Sequence, residues 1–144
     1  MIHIQVERVD DAFHFVGRND RGNTVHMDTG VEDGGSGQGA GPMQTLLMAL
    51  GGCSGIDIVS ILKKGRQDIT SFRVDFEAER AQGEIPSLYT RIHAHYALEG
   101  DLDPDKVRRA IDLSLEKYCS VAKTLEKTAQ ITYSFSVNAV DYAQ

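Results

Sequence analysis

The sequence has no tryptophan, only three prolines and only two cysteines in 144 residues. With no tryptophan and only 7% aromatic residues, it is poorly supplied with the stacking surface that single-stranded nucleic-acid binders use. A formal net charge of −6 removes the basic excess expected of a nucleic-acid protein, so no nucleic-acid partner is expected. The short basic run at 62–66, LKKGR, reads as the cationic C-terminal end of a helix. Two cysteines, Cys53 and Cys119, are too few for a disulfide scaffold. The opening, MIHIQVERVDD, lacks a basic start followed by an apolar run, so no secretory leader is expected. No stretch of about 18 residues is apolar without polar interruption, so no membrane partner is expected. Cytoplasmic localisation is the default, and the length suits a single domain over 1–144.

Hydrophobic periodicity supplies the elements. Ile2, Ile4 and Val6 alternate with polar residues, as do Phe13 and Phe15 in AFHFVG (12–17), and Val25 and Met27 in TVHMD (24–28). This predicts a three-strand antiparallel meander with those residues inward. The glycine-rich segment TGVEDGGSGQGAGP (29–42) has no periodic apolar face and reads as a mobile loop. It ends in Gly-Pro where a phosphate cradle would end in Gly-Lys-Ser/Thr. Pro42 suits the first position of a helix. From Met43 the spacing turns helical and runs to about Lys64, with Gly65 as the stop. Residues 71–81 and 90–98 predict a β-hairpin. Asp103 and Pro104 open a second long helix through Leu125, and 130–140 reads as a last strand. The fold class is α+β, with one cysteine on each long helix.

The stretch MALGGCSGIDIVSILKK (48–64) places Gly51, Gly52 and Gly55 around Cys53. Each glycine costs a helix about 1 kcal/mol relative to alanine. One such residue is explained by close packing; three around a thiol suggest both close packing and open space at the sulfur. The two cysteines are either small buried hydrophobes, as free cysteine commonly is, or a redox pair brought together by antiparallel helices. A thiolate in mid-helix gains nothing from a helix N-terminus and needs a cation from elsewhere, an arginine being the best candidate. His93 and His95 alternate with the apolar set and should face solvent; no metal-ligand spacing is completed around them. Asp57 and Glu116 lie within a turn of a cysteine. There they would raise a thiol pKa, position an arginine, or simply be surface charge.

Two segments, GPMQTLLMALGGCSGIDIVSILKK and LSLEKYCSVAKTLEKTAQITYSFSV, resemble the two cysteine helices of the OsmC/Ohr family, closer to its OsmC-like subgroup than to its hydroperoxide reductases. Element order and cysteine placement match along nearly the whole chain. The resemblance implies an intertwined homodimer, with antiparallel strands wrapped around two long cysteine-bearing helices. It also implies reduction of organic hydroperoxides without a bound cofactor or metal. Cys53 would be the peroxidatic residue and Cys119 the resolving one, and a dithiol such as dihydrolipoamide would return the disulfide to thiols. The family arginine falls on Arg18, with Arg21 the second choice; its guanidinium would hold the thiolate and the peroxide. Where the peroxidases carry a glutamate after the helix-opening proline, this chain has Met43, followed by Gln44, which can offer a hydrogen bond but no ion pair. Met43, Gln44 and Leu50 are the expected substrate-binding residues, and Leu46, Met48 and Ile56 would complete an apolar pocket near the thiol. A non-catalytic protein that binds a small apolar or electrophilic ligand is the alternative reading.

Overall fold

The computed structural model describes residues 1–144, which pack as two compact units, Met1–Met48 and Ala49–Gln144. The first unit contains the expected meander: β1 (Ile4–Arg8), β2 (Phe15–Asn19) and β3 (Thr24–Met27), antiparallel in that order. β2 begins later than the alternation suggested. The Asp10 carboxylate accepts the backbone N–H groups of Ala12 (2.9 Å) and His14 (3.1 Å), folding those residues into a turn and leaving Phe13 outside the ladder. Val16 is buried, whereas Ile4, Val6 and Val25, expected inward, are more than half exposed. A three-stranded sheet this small has too little chain to cover both of its faces.

The glycine-rich segment is wrapped around a carboxylate rather than open. Asp28 is buried and accepts the backbone N–H groups of Thr29, Ser36 and Gln38. Burial opposes its charge, but those N–H groups outweigh it and hold the carboxyl below the usual carboxylate range. Gly35 shows why small residues are needed: a Cβ there would sit 2.2 Å from the Thr29 carbonyl oxygen.

The helix α1 (Pro42–Lys64) has the predicted bounds. At its start the Gly41 N–H donates to Gln44 Oε1 at 2.9 Å, one half of a capping box. At its end the left-handed residue is Arg66 (φ 59°), not the expected Gly65, and the Gln67 N–H returns to the Leu62 carbonyl at 2.9 Å. By length and composition α1 could cross a membrane, with a mean hydropathy of 1.8 over its most apolar window. Ser54 and Asp57 interrupt that run, and Gly51 and Gly55 lie against side chains of the neighbouring strand.

The second unit is a four-stranded sheet in the order β4 (Asp68–Arg80), β5 (Tyr89–Asp101), β6 (Gln130–Val137), β7 (Val140–Ala143). β4 and β5 form the expected hairpin; β6 runs parallel to β5, and β7 returns antiparallel. One face carries the core. Ala94, Tyr96, Leu98, Phe135 and Val137 pack with Ile58 and Leu62 of α1 and with Val107, Ala110 and Ile111 of α2 (Pro104–Leu113). Asp103 caps α2 by accepting the Asp105 N–H, as expected. On the opposite face His93 and His95 do not simply meet solvent: their ring nitrogens are engaged by the Thr132 and Ser134 hydroxyls at 2.7–3.0 Å.

Two expectations about the C-terminal third are corrected. Residues 130–140 are not one strand, because Asn138 (φ 50°) and Ala139 (φ 66°) make a two-residue hairpin turn between β6 and β7. Left-handed backbone at both positions matches the twist of the flanking strands. An alanine held there is strained by about 1 kcal/mol, so Ala139→Gly is expected to raise the unfolding free energy by roughly that amount. Urea denaturation would show it; an unchanged or lower midpoint would rule it out. Nor is the second cysteine helix continuous: α2 ends at Leu113, Ser114–Tyr118 forms a π-helical turn, and α3 (Ser120–Leu125) follows. The long helices that the sequence suggested are therefore one long helix and one broken one.

Candidate active site

The break in the second helix decides where the thiols go. The Cys119 N–H bonds back five residues to the Ser114 carbonyl at 2.7 Å, and Cys119 itself is extended (φ −77°, ψ 103°). Single π-turns of this kind often mark functional sites. Cys119 is thus the N-terminal capping residue of α3, not a mid-helix residue, and its sulfur accepts the Ala122 N–H at 3.3 Å. Cys53 stays mid-helix on α1, half-buried, while Cys119 is fully buried. Their sulfurs and a carboxylate oxygen of Asp57 all lie within 4.8 Å of one another.

Burial pushes the Cys119 thiol up to about 11; the Ala122 N–H opposes this, and the adjacent Cys53 adds to it. Cys119 is therefore a neutral thiol at physiological pH. Polar side chains support the pair. The Tyr96 hydroxyl donates to Ser54 Oγ (2.9 Å), which donates in turn to the Leu50 carbonyl (2.8 Å), tying α1 to β5 one residue after Cys53. The Ser114 hydroxyl, on the π-turn, donates to Asp57 Oδ2 at 2.9 Å. A hydroxyl at 114 thus fastens the turn that presents Cys119 to the helix that presents Cys53. Two thiols in this arrangement can exchange two electrons as a dithiol–disulfide couple.

Residues 35–134 match the family profile of OsmC-like proteins. The chain belongs to the OsmC-like family. It is similar to Protein YhfA of Escherichia coli (strain K12), with 49% identity over 131 residues covering 90% of this chain and 93% of that one. Among solved structures, a hypothetical protein from Aquifex aeolicus VF5 is 28% identical with a TM-score of 0.82, and each chain is 96% covered. An organic hydroperoxide resistance protein from Elizabethkingia anophelis, 13% identical and 96% covered on each side, has a TM-score of 0.71 and so shares the fold. The OsmC/Ohr fold expected from the two cysteine segments is the one this chain takes, with mixed α+β architecture.

In this OsmC-like protein the glycines of α1 divide by role. A Cβ on Gly51 would meet the Phe76 ring at 3.1 Å and Val74 at 3.3 Å, and one on Gly55 would meet Phe72 at 3.5 Å; one on Gly52 would meet nothing within 4 Å. Two glycines therefore seat α1 on β4, and the third opens space beside Cys53. All three line an apolar trough with Ile56, Phe72 and Val74. Ile56, expected in the pocket, is 72% exposed there.

The other expected site residues are carried by several elements. Arg18 is exposed on β2, and Arg21 follows in the turn toward β3, both in the first unit. Met43 is half-buried, and the side-chain oxygen of Gln44 is engaged by the Gly41 N–H. Leu46 and Met48 are exposed, while Leu50 is fully buried. Glu116 is exposed on the π-turn, apart from the thiol cluster. Ser54, Ser114 and Tyr96 carry no sequence signal. Asp57 had one, its position four residues after Cys53, which places both on one helix face.

Proposed function

We propose that this OsmC-like protein is a thiol-dependent peroxidase acting on organic hydroperoxides through Cys53 and Cys119. The observation that carries the reading is the approach of the two sulfurs within 4.8 Å, one half-buried and one fully buried. The half-buried Cys53 is the sulfur a substrate can reach. Its thiolate attacks the distal peroxide oxygen; the O–O bond breaks, the alcohol leaves, and Cys53 becomes a sulfenic acid. Cys119 then forms the disulfide and expels water. A dithiol of the dihydrolipoamide type returns both sulfurs to thiols by exchange. Arg18, or failing it Arg21, supplies the cation for the Cys53 thiolate and the peroxide. The chain acts as one OsmC-like domain in a cytoplasmic homodimer. The exposed Ile56 beside the glycine trough and the unpaired outer edge of β4 support a second copy as the covering partner. Organic peroxides suit the apolar character of that trough and of Met43.

One observation favours a different reading. Residue 43 is Met where the family resemblance implies a glutamate in the peroxidases, and a thioether forms no ion pair with an arginine. A protein that keeps the fold to bind a small apolar or electrophilic ligand would have no use for that pair. Mass spectrometry after one equivalent of cumene hydroperoxide separates the two readings. The peroxidase forms a Cys53–Cys119 disulfide, faster than with hydrogen peroxide and not at all in Cys53→Ser. Unchanged thiols would overturn the peroxidase and leave the binding protein.

A further inference from the structure

Resting on the peroxidase reading, we propose that Asp57 relays the proton that must move when Cys119 resolves the oxidised Cys53. The step is a condensation. The Cys119 sulfur forms the S–S bond to Cys53, the S–O bond of the sulfenic acid breaks with its electron pair on oxygen, and the Cys119 proton ends on that oxygen to give water. The two electrons lost by the thiols went to the peroxide in the preceding step, so no further oxidant is needed.

The site needs help with this proton. Cys119 is fully buried, and burial pushes its thiol up to about 11, so it is held as the thiol at neutral pH. Only the thiolate attacks a sulfenic sulfur. The carboxylate of Asp57 lies within 4.8 Å of both the sulfur that loses the proton and the sulfur that carries the leaving oxygen. Its orientation is set: Ser114 Oγ occupies Oδ2 at 2.9 Å, and Oδ1 accepts no hydrogen bond from the chain. Ser114 belongs to the π-turn that positions Cys119, so one hydrogen bond aligns the base with the thiol it serves. Asp57 also borders a surface hollow lined by Ser60, Ile61, Lys64, Leu113 and Tyr118, through which water can leave. The titratable groups facing the relay are Cys53 on α1, Cys119 before α3, Tyr96 on β5, and Lys64 and Tyr118 at the hollow. Tyr96, pushed by burial up to about 12, stays neutral and takes no part. A carboxylate beside two thiols is otherwise a liability, since it disfavours either thiolate; a relay gives it a use.

The test uses the full-length protein, rapid mixing with cumene hydroperoxide, and dimedone to trap sulfenic acid. Asp57→Asn keeps the shape and the Ser114 contact but holds no proton. It is expected to slow disulfide formation, relative to Cys53 oxidation in the same sample, by roughly 100-fold, and to raise dimedone labelling accordingly. Its disulfide rate should also climb about tenfold per pH unit from neutrality upward, because Cys119 must then ionise unaided. The native protein should show a flatter profile, and Asp57→Glu should restore part of the rate. Asn, Glu and native proteins with equal disulfide rates and equal pH slopes would overturn the relay while leaving the peroxidase standing. A native protein whose thiols never react with the peroxide would overturn the peroxidase, and the relay with it.

Discussion

Cys119→Ser is expected to reduce one equivalent of organic hydroperoxide and then stop. The half-buried Cys53 keeps its reaction with peroxide, since nothing in that step uses Cys119. The sulfenic acid then has no thiol within reach, because the only other cysteine in the chain is gone. Steady-state turnover with a dithiol should fall by three orders of magnitude or so, the scale on which loss of a group that completes a covalent cycle is felt. Excess peroxide should drive Cys53 on to the sulfinic acid, which thiols do not reverse. Cys53→Ser should give no burst at all. The contrast is read in one stopped-flow trace of peroxide consumption and one intact mass. Continued turnover in Cys119→Ser at close to the native rate would mean that the dithiol attacks Cys53 directly and that Cys119 is a packing residue. The serine is smaller and more polar than the thiol in a fully buried position. Its hydroxyl can still accept the Ala122 N–H, so the cap of α3 survives and the variant is expected to fold.

The residues that were legible in the sequence are those whose signal is periodic. The alternation in 71–81 and 90–98 places Phe72, Val74, Phe76, Ala94, Tyr96 and Leu98 on one sheet face, and the structure packs that face. Pro42, Asp103 and Pro104 mark helix starts because capping chemistry is local. The break at Ser114–Tyr118 was not legible. Leu115, Tyr118, Val121, Ala122 and Leu125 continue a helical spacing, and no glycine or proline interrupts them. The turn is held from outside, by Asp57 on another element, and a tertiary hydrogen bond leaves no local mark. Asn138 and Ala139 were missed for a related reason: Ala139 is not a turn former, and its left-handed backbone is stabilised by the Asn138 side chain bonding both ways to Gly100. The loop around Asp28 was misread because composition reports glycine content and not the buried carboxylate that collects its N–H groups. Of the site, the two thiols and their pairing were legible through resemblance. Asp57 was marked by its spacing from Cys53, but Ser54, Ser114 and Tyr96 were not, since their roles exist only once α1, the π-turn and β5 are together.

The same burial that keeps Cys119 a thiol should make the fold sensitive to alkali. Four acids are held in their neutral forms. Cys119 moves from an ordinary value of 9.0 up to about 11, and Tyr96 from 10.0 up to about 12, each chiefly by burial. Tyr133 is pushed up by burial and by its 2.6 Å hydrogen bond to Asp112, and Tyr89 by burial against the opposing charge of Arg80. Below pH 9 these groups are protonated in both folded and unfolded chains and stability does not depend on them. Above it the unfolded chain releases protons that the folded chain retains, so stability falls as pH rises. Each group contributes a slope of at most about 1.4 kcal/mol per pH unit, between its unfolded and folded values. Cys119 acts first, from pH 9 to about 11, and the tyrosines join above pH 10. A domain stabilised by some 5–15 kcal/mol should therefore lose a large part of its stability before pH 12. Urea midpoints measured in half-unit steps would trace this, with the first decline absent in Cys119→Ala. A midpoint that stays level from pH 8 to pH 11 would mean that Cys119 ionises as freely in the fold as outside it. Resolution of Cys53 would then need no base beyond solvent.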